Sequence, residues 1–276
     1  MPNLPVFSPS QIQRIADCSL QQHFWAQSPP ETNPIGDAIL NAIAQLHAAG
    51  GPHRLNLPGT LRILGKTLSP NTPKSSITLA RNALARYHRQ LRAEWAQLIA
   101  SNEPLALNIP LPRGIIRCET TIHRLDKTED GGITAIKLIP TAKPDVIPES
   151  DSIEATVLHA LTAAAYPHRR PVRISFRWLT HGRSVTLELT EGAYRHNLQR
   201  IKTRMQAWLD GEILARPGLH CDFCPFKFDG CPLYTNLDPE QIEPADLDTP
   251  ASPATLSTRN WTFSEDTQHD QTESEP

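Results

Sequence analysis

Apolar residues recur at helical spacing in five stretches of the chain and alternate with polar ones in five others. From Phe7 to Trp25, Ile12, Ile15, Leu20 and Phe24 follow a helical period behind Ser8 or Ser10 as an N-cap, so Cys18 is expected on this helix or at its end. A second short helix is expected over Asp37–Ala48, closed by Gly50 and Gly51. The next stretch, "GPHRLNLPGTLRILGKTLSPNTPKSS", is dense in turn residues and receives no assignment. Ser76–Ala100 has the strongest helical period and carries Arg81, Arg86, Arg89 and Arg92.

The period then changes from 3.6 to 2. Leu105–Ile109, Ile115–Leu125 and Ile133–Ile139 read as strands, the last two joined by a hairpin at "KTEDGG". A helix over Ser152–Ala165 follows, then strands over Val172–Trp178 and Ser184–Leu189 around His181 and Gly182, then a helix over Glu191–Leu209. The expected class is mixed α/β, with no internal repeat.

At 276 residues and 39% hydrophobic content the chain suits one large core followed by a tail. A basic N-terminus followed by an apolar run is absent, as is any run of eighteen apolar residues. The expectation is a cytoplasmic protein with neither signal peptide nor membrane span. The formal charge of -2 hides an asymmetry: residues 235–276 hold ten acids against Arg259 alone, a net -9, which leaves +7 on residues 1–234. That division predicts a polyanion-binding domain over 1–234 and an acidic, disordered tail over 235–276. The arginines from Arg81 to Arg92 can approach one helix face as a phosphate-binding stripe, and His168, Arg169 and Arg170 form a second basic cluster.

Three of the five cysteines lie within "GLHCDFCPFKFDGCPLY", as Cys221, Cys224 and Cys231 in the spacing C-x2-C-x6-C. In a reducing compartment such clustering points to metal chemistry, and a tetrahedral ion or a cluster takes four ligands. Cys118 and Cys18 are the candidates for the fourth. Cys118 falls inside a strand and suits a buried apolar role, whereas Cys18, near the end of a helix, is the better placed. Spacing alone leaves iron–sulfur and zinc both open.

The segments "SPSQIQRIADCSLQQHFW" and "GEILARPGLHCDFCPFKFDGCPLY" together resemble the two ends of the iron–sulfur branch of the PD-(D/E)XK nucleases, the RecB/AddB-like and CRISPR-associated exonuclease group. The resemblance covers most of Phe7–Tyr234, and only the two cysteine segments are specific. It implies a restriction-endonuclease-like core, a mixed central sheet flanked by helices, whose chain ends are joined by a [4Fe-4S] cluster on Cys18, Cys221, Cys224 and Cys231. It also implies DNA as a partner, and work in repair, recombination or mobile-element processing.

The same resemblance exposes a departure at the catalytic positions. The family's central sequence runs I-D-R-V-D, a hairpin, then a strand ending D-Y-K-T-G, and "IHRLDKTEDGGITAIKLIPTAKP" aligns with it without a gap. The metal-binding aspartate falls at His123, the second acid at Lys137 and the catalytic lysine at Ile139. In the G-x-x-x-H helix Leu40 replaces the histidine, and in the Q-L-x-x-Y helix Thr156 replaces the glutamine. An isoleucine has no ammonium and a lysine repels Mg²⁺, so the expectation is a DNA-binding protein that does not cut, partnered with a helicase or an active nuclease. The alternatives are an active nuclease using displaced acids from Glu119, Asp126, Asp145 and Glu154, or a structural zinc module. Should the altered cleft favour phosphate, Lys137 is the residue expected to bind it.

Overall fold

The structure, a computed structural model, describes residues 4–27, 33–141, 148–149, 151–228 and 231–234. The expected tail over 235–276 and Asp145 lie outside the described residues. The chain divides into two compact units, Met1–Leu214 and Ala215–Pro276.

In the first unit a short strand β1 (Val6–Phe7) leads into α1 (Pro9–Gln27), followed by α2 (Pro34–Ala48), α3 (Leu57–Thr67) and α4 (Lys74–Glu94). Then come β2 (Leu98–Leu111), β3 (Gly114–Lys127), β4 (Ile133–Ile139), α5 (Ile153–Ala165), β5 (Val172–Trp178), β6 (Arg183–Glu188) and α6 (Glu191–Leu209). β2, β3 and β4 pair antiparallel in series, β5 lies parallel to β4, and β6 returns antiparallel to β5. A parallel pair needs a crossover, and α5 supplies it. β3 is long enough to serve two neighbours along one edge, β1 at Arg117 and Cys118 and β4 from Arg124 to Lys127. The result is the expected mixed α/β architecture, an open mixed sheet flanked by helices.

Helices cover both faces, which is why β4 carries apolar residues on both of its sides. Ile133 and Ala135 face a core that Ile12, Ile15, Leu158, Leu161, Ile201 and Met205 complete from α1, α5 and α6. Ile136 and Leu138 face a second core built from Ile39, Ile43, Leu46, Leu64, Leu84 and Leu91 of α2, α3 and α4.

Local chemistry accounts for four helix starts and the β3–β4 turn. The side chains of Asn33, Asn56, Ser152 and Thr190 each accept the backbone N–H three residues on, capping α2, α3, α5 and α6. At the β3–β4 turn Gly131 takes φ +83°, and Asp130 Oδ1 accepts the N–H of Gly132 at 3.2 Å. Helix α3 arises in the stretch left unassigned, where Pro58 sits in a capped first turn and Leu57, Leu61, Leu64 and Leu68 recur at three- and four-residue intervals. The expected helix over Ser76–Ala100 stops at Glu94. Beyond a single 3₁₀ turn at Trp95–Gln97 the chain enters β2, where Leu98 and Ala100 pair with Asp126 and Leu125. The strand expected over Leu105–Ile109 is accordingly 14 residues long.

The second unit contains a 3₁₀ turn at Leu219–Phe223 followed by further turns. Cys221, Cys231 and Tyr234 are buried together, with Ala215 and Leu233 packed against them. Among the described residues no helix is long and apolar enough to cross a membrane.

Candidate functional site

His123 on β3 and Lys137 on β4 lie on adjacent antiparallel strands, beside the register pair Arg124 and Ile136. His123 Nδ1 accepts the backbone N–H of Leu138 at 3.1 Å. Burial first, and the Lys137 cation second, lower the His123 pKa to about 4, so the ring is neutral near pH 7. A neutral imidazole accepting at Nδ1 carries its proton at Nε2, so neither nitrogen has a lone pair left for a metal.

Lys137 Nζ is 2.5 Å from Glu154 Oε1 on α5 and 3.2 Å from Ser10 Oγ on α1. Ser10 Oγ donates to the same carboxylate oxygen at 2.7 Å, and Gln13 Oε1 accepts the N–H of Glu154 at 2.7 Å. The position of the expected second acid is thus the cationic half of a closed, part-buried ion pair. Ile139, two residues on, is half-buried against the α1, α5 and α6 core. Thr156 is fully buried, donating to Ser152 O at 3.0 Å and accepting from Asn197 Nδ2 at 2.9 Å, which ties α5 to α6. Leu40 packs on the core of the other layer. Of these five positions, His123 and Lys137 lie together on adjacent strands, Ile139 packs on the α1, α5 and α6 core, Thr156 ties α5 to α6, and Leu40 belongs to the other layer.

The carboxylates proposed as displaced ligands are engaged as well. Glu119 pairs with Arg117 on the exposed side of β3, Asp126 with Arg124 and Glu154 with Lys137. Magnesium takes oxygen ligands in octahedral array, whereas the carboxylate of this cluster, Glu154, is held by Lys137 and Ser10, His123 presents a donor N–H, and Ile139 offers no ligand atom. The residues present do not fit that ion.

A second polar cluster lies in the sheet's other layer, unforeseen as a group. Arg124 is wholly buried; its Nε and Nη2 contact the two oxygens of Asp126 at 2.7 and 2.5 Å, and its Nη1 lies 2.9 Å from Glu94 Oε2. Arg177 Nη1 reaches that Glu94 oxygen at 2.9 Å. Burial works against the Glu94 charge, but the two guanidiniums outweigh it and lower the pKa. The neighbouring Tyr87 hydroxyl is pushed up to about 12 by burial and meets His47 Nε2 at 2.8 Å. The signal in the sequence was the R-x-D spacing, which puts two opposite charges on one face of a strand otherwise apolar there.

Cys18 interrupts α1 with an extended φ of -154° and ψ of 101° rather than ending the helix. At this break Leu20 N–H donates to Leu214 O at 3.2 Å, Leu214 N–H donates to Ser19 Oγ at 2.8 Å, and Cys18 Sγ lies 3.9 Å from Leu214 O. The first unit therefore ends beside Cys18. Cys118 is fully buried in the sheet core, where burial pushes its thiol up to about 12, as suits an apolar filler.

In the second unit Cys224 N–H donates to Cys221 O at 3.3 Å, Lys227 N–H to Cys224 O at 3.2 Å and Cys231 N–H to Phe226 O at 3.2 Å, so successive turns carry the three thiols. Burial opposes ionisation of Cys221, but His220, the Gly218 backbone and Tyr234 together bring its pKa below the ordinary thiol value. Among the described residues no group of three or more His, Cys, Asp or Glu side chains is gathered closely enough to hold a metal ion.

At 100° per residue Arg81, Arg86, Arg89 and Arg92 fall within an arc of about 140° on α4, and all four are exposed. Arg86 donates to the carbonyls of Leu179 and Thr180 at 3.3 and 3.4 Å, just past the end of β5, and so pins that turn. Arg81 instead lines a cleft against α3. Arg169 and Arg170 are exposed on the loop that precedes β5. The seven residues of β5, roughly 23 Å of strand, separate them from the turn that Arg86 holds.

No family model matches this chain, and no curated protein matches it. Among solved structures it is similar to the protein SSO0001, with a TM-score of 0.45 and 8% identity over 85% of this chain and 89% of that one. It is also similar to a candidate exonuclease from Eubacterium rectale, with a TM-score of 0.44 and 13% identity over 79% of this chain and 86% of that one. Both are weak structural resemblances at low identity.

Proposed function

We propose that this protein is a cytoplasmic, DNA-binding iron–sulfur protein of the PD-(D/E)XK, RecB-like nuclease fold that holds DNA without cutting it. Its setting is repair, recombination or mobile-element processing, beside a helicase or an active nuclease. The observation that carries the non-cutting reading is the closure of Lys137 on Glu154 and Ser10, with His123 Nδ1 occupied by the Leu138 N–H. Phosphodiester hydrolysis on such a site needs carboxylate oxygens around Mg²⁺ and a lysine at the phosphate. Here the nearby acids neutralise cations and Ile139 supplies no charge.

Exposed Arg89, Arg92, Arg169 and Arg170, on a region carrying +7, support DNA binding through phosphates. Cys18, Cys221, Cys224 and Cys231 would hold the [4Fe-4S] cluster, whose contribution when bound is a covalent tie between the chain ends. The donor chemistry suits it: three thiols lie on consecutive turns of the second unit, Cys18 supplies a fourth from the first, and four thiolates are the usual ligand set of such a cluster.

Anaerobic purification with iron, sulfide and zinc analysis, then DNA binding over a salt series with and without Mg²⁺ or Mn²⁺, tests the reading. The expected result is a brown protein whose DNA affinity falls with salt and which leaves DNA intact. Metal-dependent degradation would restore the active-nuclease alternative. Colourless protein containing zinc and lacking salt-dependent DNA binding would make it a structural zinc module.

A further inference from the structure

The α3–α4 layer is segregated in charge. Between Asp37 and Glu94 the chain has no acidic residue, while Arg54, Arg62, Lys66, Lys74, Arg81, Arg86, Arg89 and Arg92 make eight cations. Within this cationic layer lies an apolar cleft of about 460 Å³ between α3 and the first half of α4. Leu61, Leu68 and Ile77 form part of its wall and are only half-buried, Gly65 opens onto it, and Arg62 and Arg81 line it with exposed side chains.

Gly65 is the telling position. A glycine inside a helix destabilises it relative to alanine, so its presence calls for a local use. A Cβ placed there meets no atom within 4 Å, so no neighbouring side chain takes up the room it leaves. The glycine deepens an open apolar cleft without improving the packing of the chain itself.

We infer that the α3–α4 cleft is a docking site for an acidic amphipathic helix of a partner protein. Apolar side chains at i, i+3 and i+4 of such a helix enter between Leu61 and Ile77, and carboxylates beside that stripe meet Arg62 and Arg81. Charge complementarity selects the sign of the partner. The apolar wall selects a peptide over a nucleic-acid backbone, which has phosphates for the arginines but nothing to fill the cleft. The inference is independent of the DNA-binding reading and does not use the cysteines.

The test uses the full chain and a fluorescein-labelled synthetic helix of about four turns, with leucines on one stripe and glutamates elsewhere. Its control is a peptide of equal charge with serines for the leucines. In fluorescence anisotropy the leucine peptide is expected to bind at least about tenfold more tightly than the control. Gly65→Trp, which fills the cleft, should remove that difference, and the exposed pair Arg62→Glu with Arg81→Glu should weaken binding by about tenfold or more without altering the melting temperature. Gly65→Ala, which adds one methyl, should retain binding. Equal binding of the two peptides, or no effect of Gly65→Trp in a protein with parent-like circular dichroism, overturns the inference. Loss of duplex DNA binding in Gly65→Trp, with peptide binding intact, overturns it in favour of a nucleic-acid face.

Discussion

Lys137 on β4 and Glu154 on α5 stand 2.5 Å apart, Nζ to Oε1, and Ser10 on α1 bonds to both. This pair converts the position of an expected metal-binding acid into a three-element tie. Removing one partner leaves the other part-buried and unpaired, so Glu154→Gln should cost roughly 1–3 kcal/mol in urea denaturation. Lys137→Met with Glu154→Gln should cost less than the sum of the single changes, and strict additivity would refute the coupling.

Lys137→Asp puts an acid where the sequence resemblance expects one but places it against Glu154. It should be less stable than the parent and should not cleave DNA with Mg²⁺, because His123 and Ile139 still supply neither ligand nor ammonium. Its DNA affinity, set beside the parent's, reports whether this cluster touches phosphate; unchanged binding locates the interface at the exposed arginines alone.

Arg124→Met removes a wholly buried guanidinium from Asp126 and Glu94. Breaking such a pair from one side costs about 3–5 kcal/mol, because the remaining carboxylate stays buried without a counter-charge. A large fall in thermal midpoint is expected, whereas Arg117→Met, at an exposed pair with Glu119, should change stability by less than about 1 kcal/mol.

His47 is buried beside Tyr87 with its pKa lowered to about 4, by burial first and the Arg124 cation second. The unfolded chain takes up a proton near pH 6.5 while the folded ring stays neutral until about pH 4. Its contribution is therefore complete above pH 6.5 and is lost as pH falls toward 4, by roughly 3 kcal/mol in all. Denaturation at a series of pH values should show this loss, and His47→Gln should flatten the slope across that window. His123, lowered to about 4 by burial and Lys137, acts in the same direction, so some slope should survive in the variant.

Cys18→Ser and Cys221→Ser should each abolish stoichiometric iron and the visible absorption band in anaerobically purified protein. Cys118→Ala should retain both, since that thiol is sealed in the sheet core. Full iron in Cys18→Ser would remove the N-terminal ligand from the proposal.

Much of the fold was legible because period and caps are local. The strands Ile133–Ile139 and Val172–Trp178 and the helix Glu191–Leu209 lie where alternation and helical spacing place them. The cysteine triplet, and the presence of His123 and Lys137 where the resemblance expects acids, are likewise facts of order along the chain. Helix α3 was obscured because its Pro58, Gly59 and Gly65 read as turn signals. Its stability instead comes from the Asn56 cap and from Leu64 buried between α2 and α4.

What only the tertiary structure decided are the relationships between residues distant in sequence. That Lys137 is neutralised by Glu154 and bonded to Ser10, that Arg124 and Arg177 both meet Glu94, and that Cys18 breaks α1 where Leu214 arrives depend on how helices are laid on the sheet. A charge or a thiol in a sequence reports its chemistry, but burial and partners fix what that chemistry can do. The sequence determined a mixed α/β chain and the order of its charges and thiols; packing decided that Lys137 ties β4 to α5 and α1 and that Thr156 ties α5 to α6.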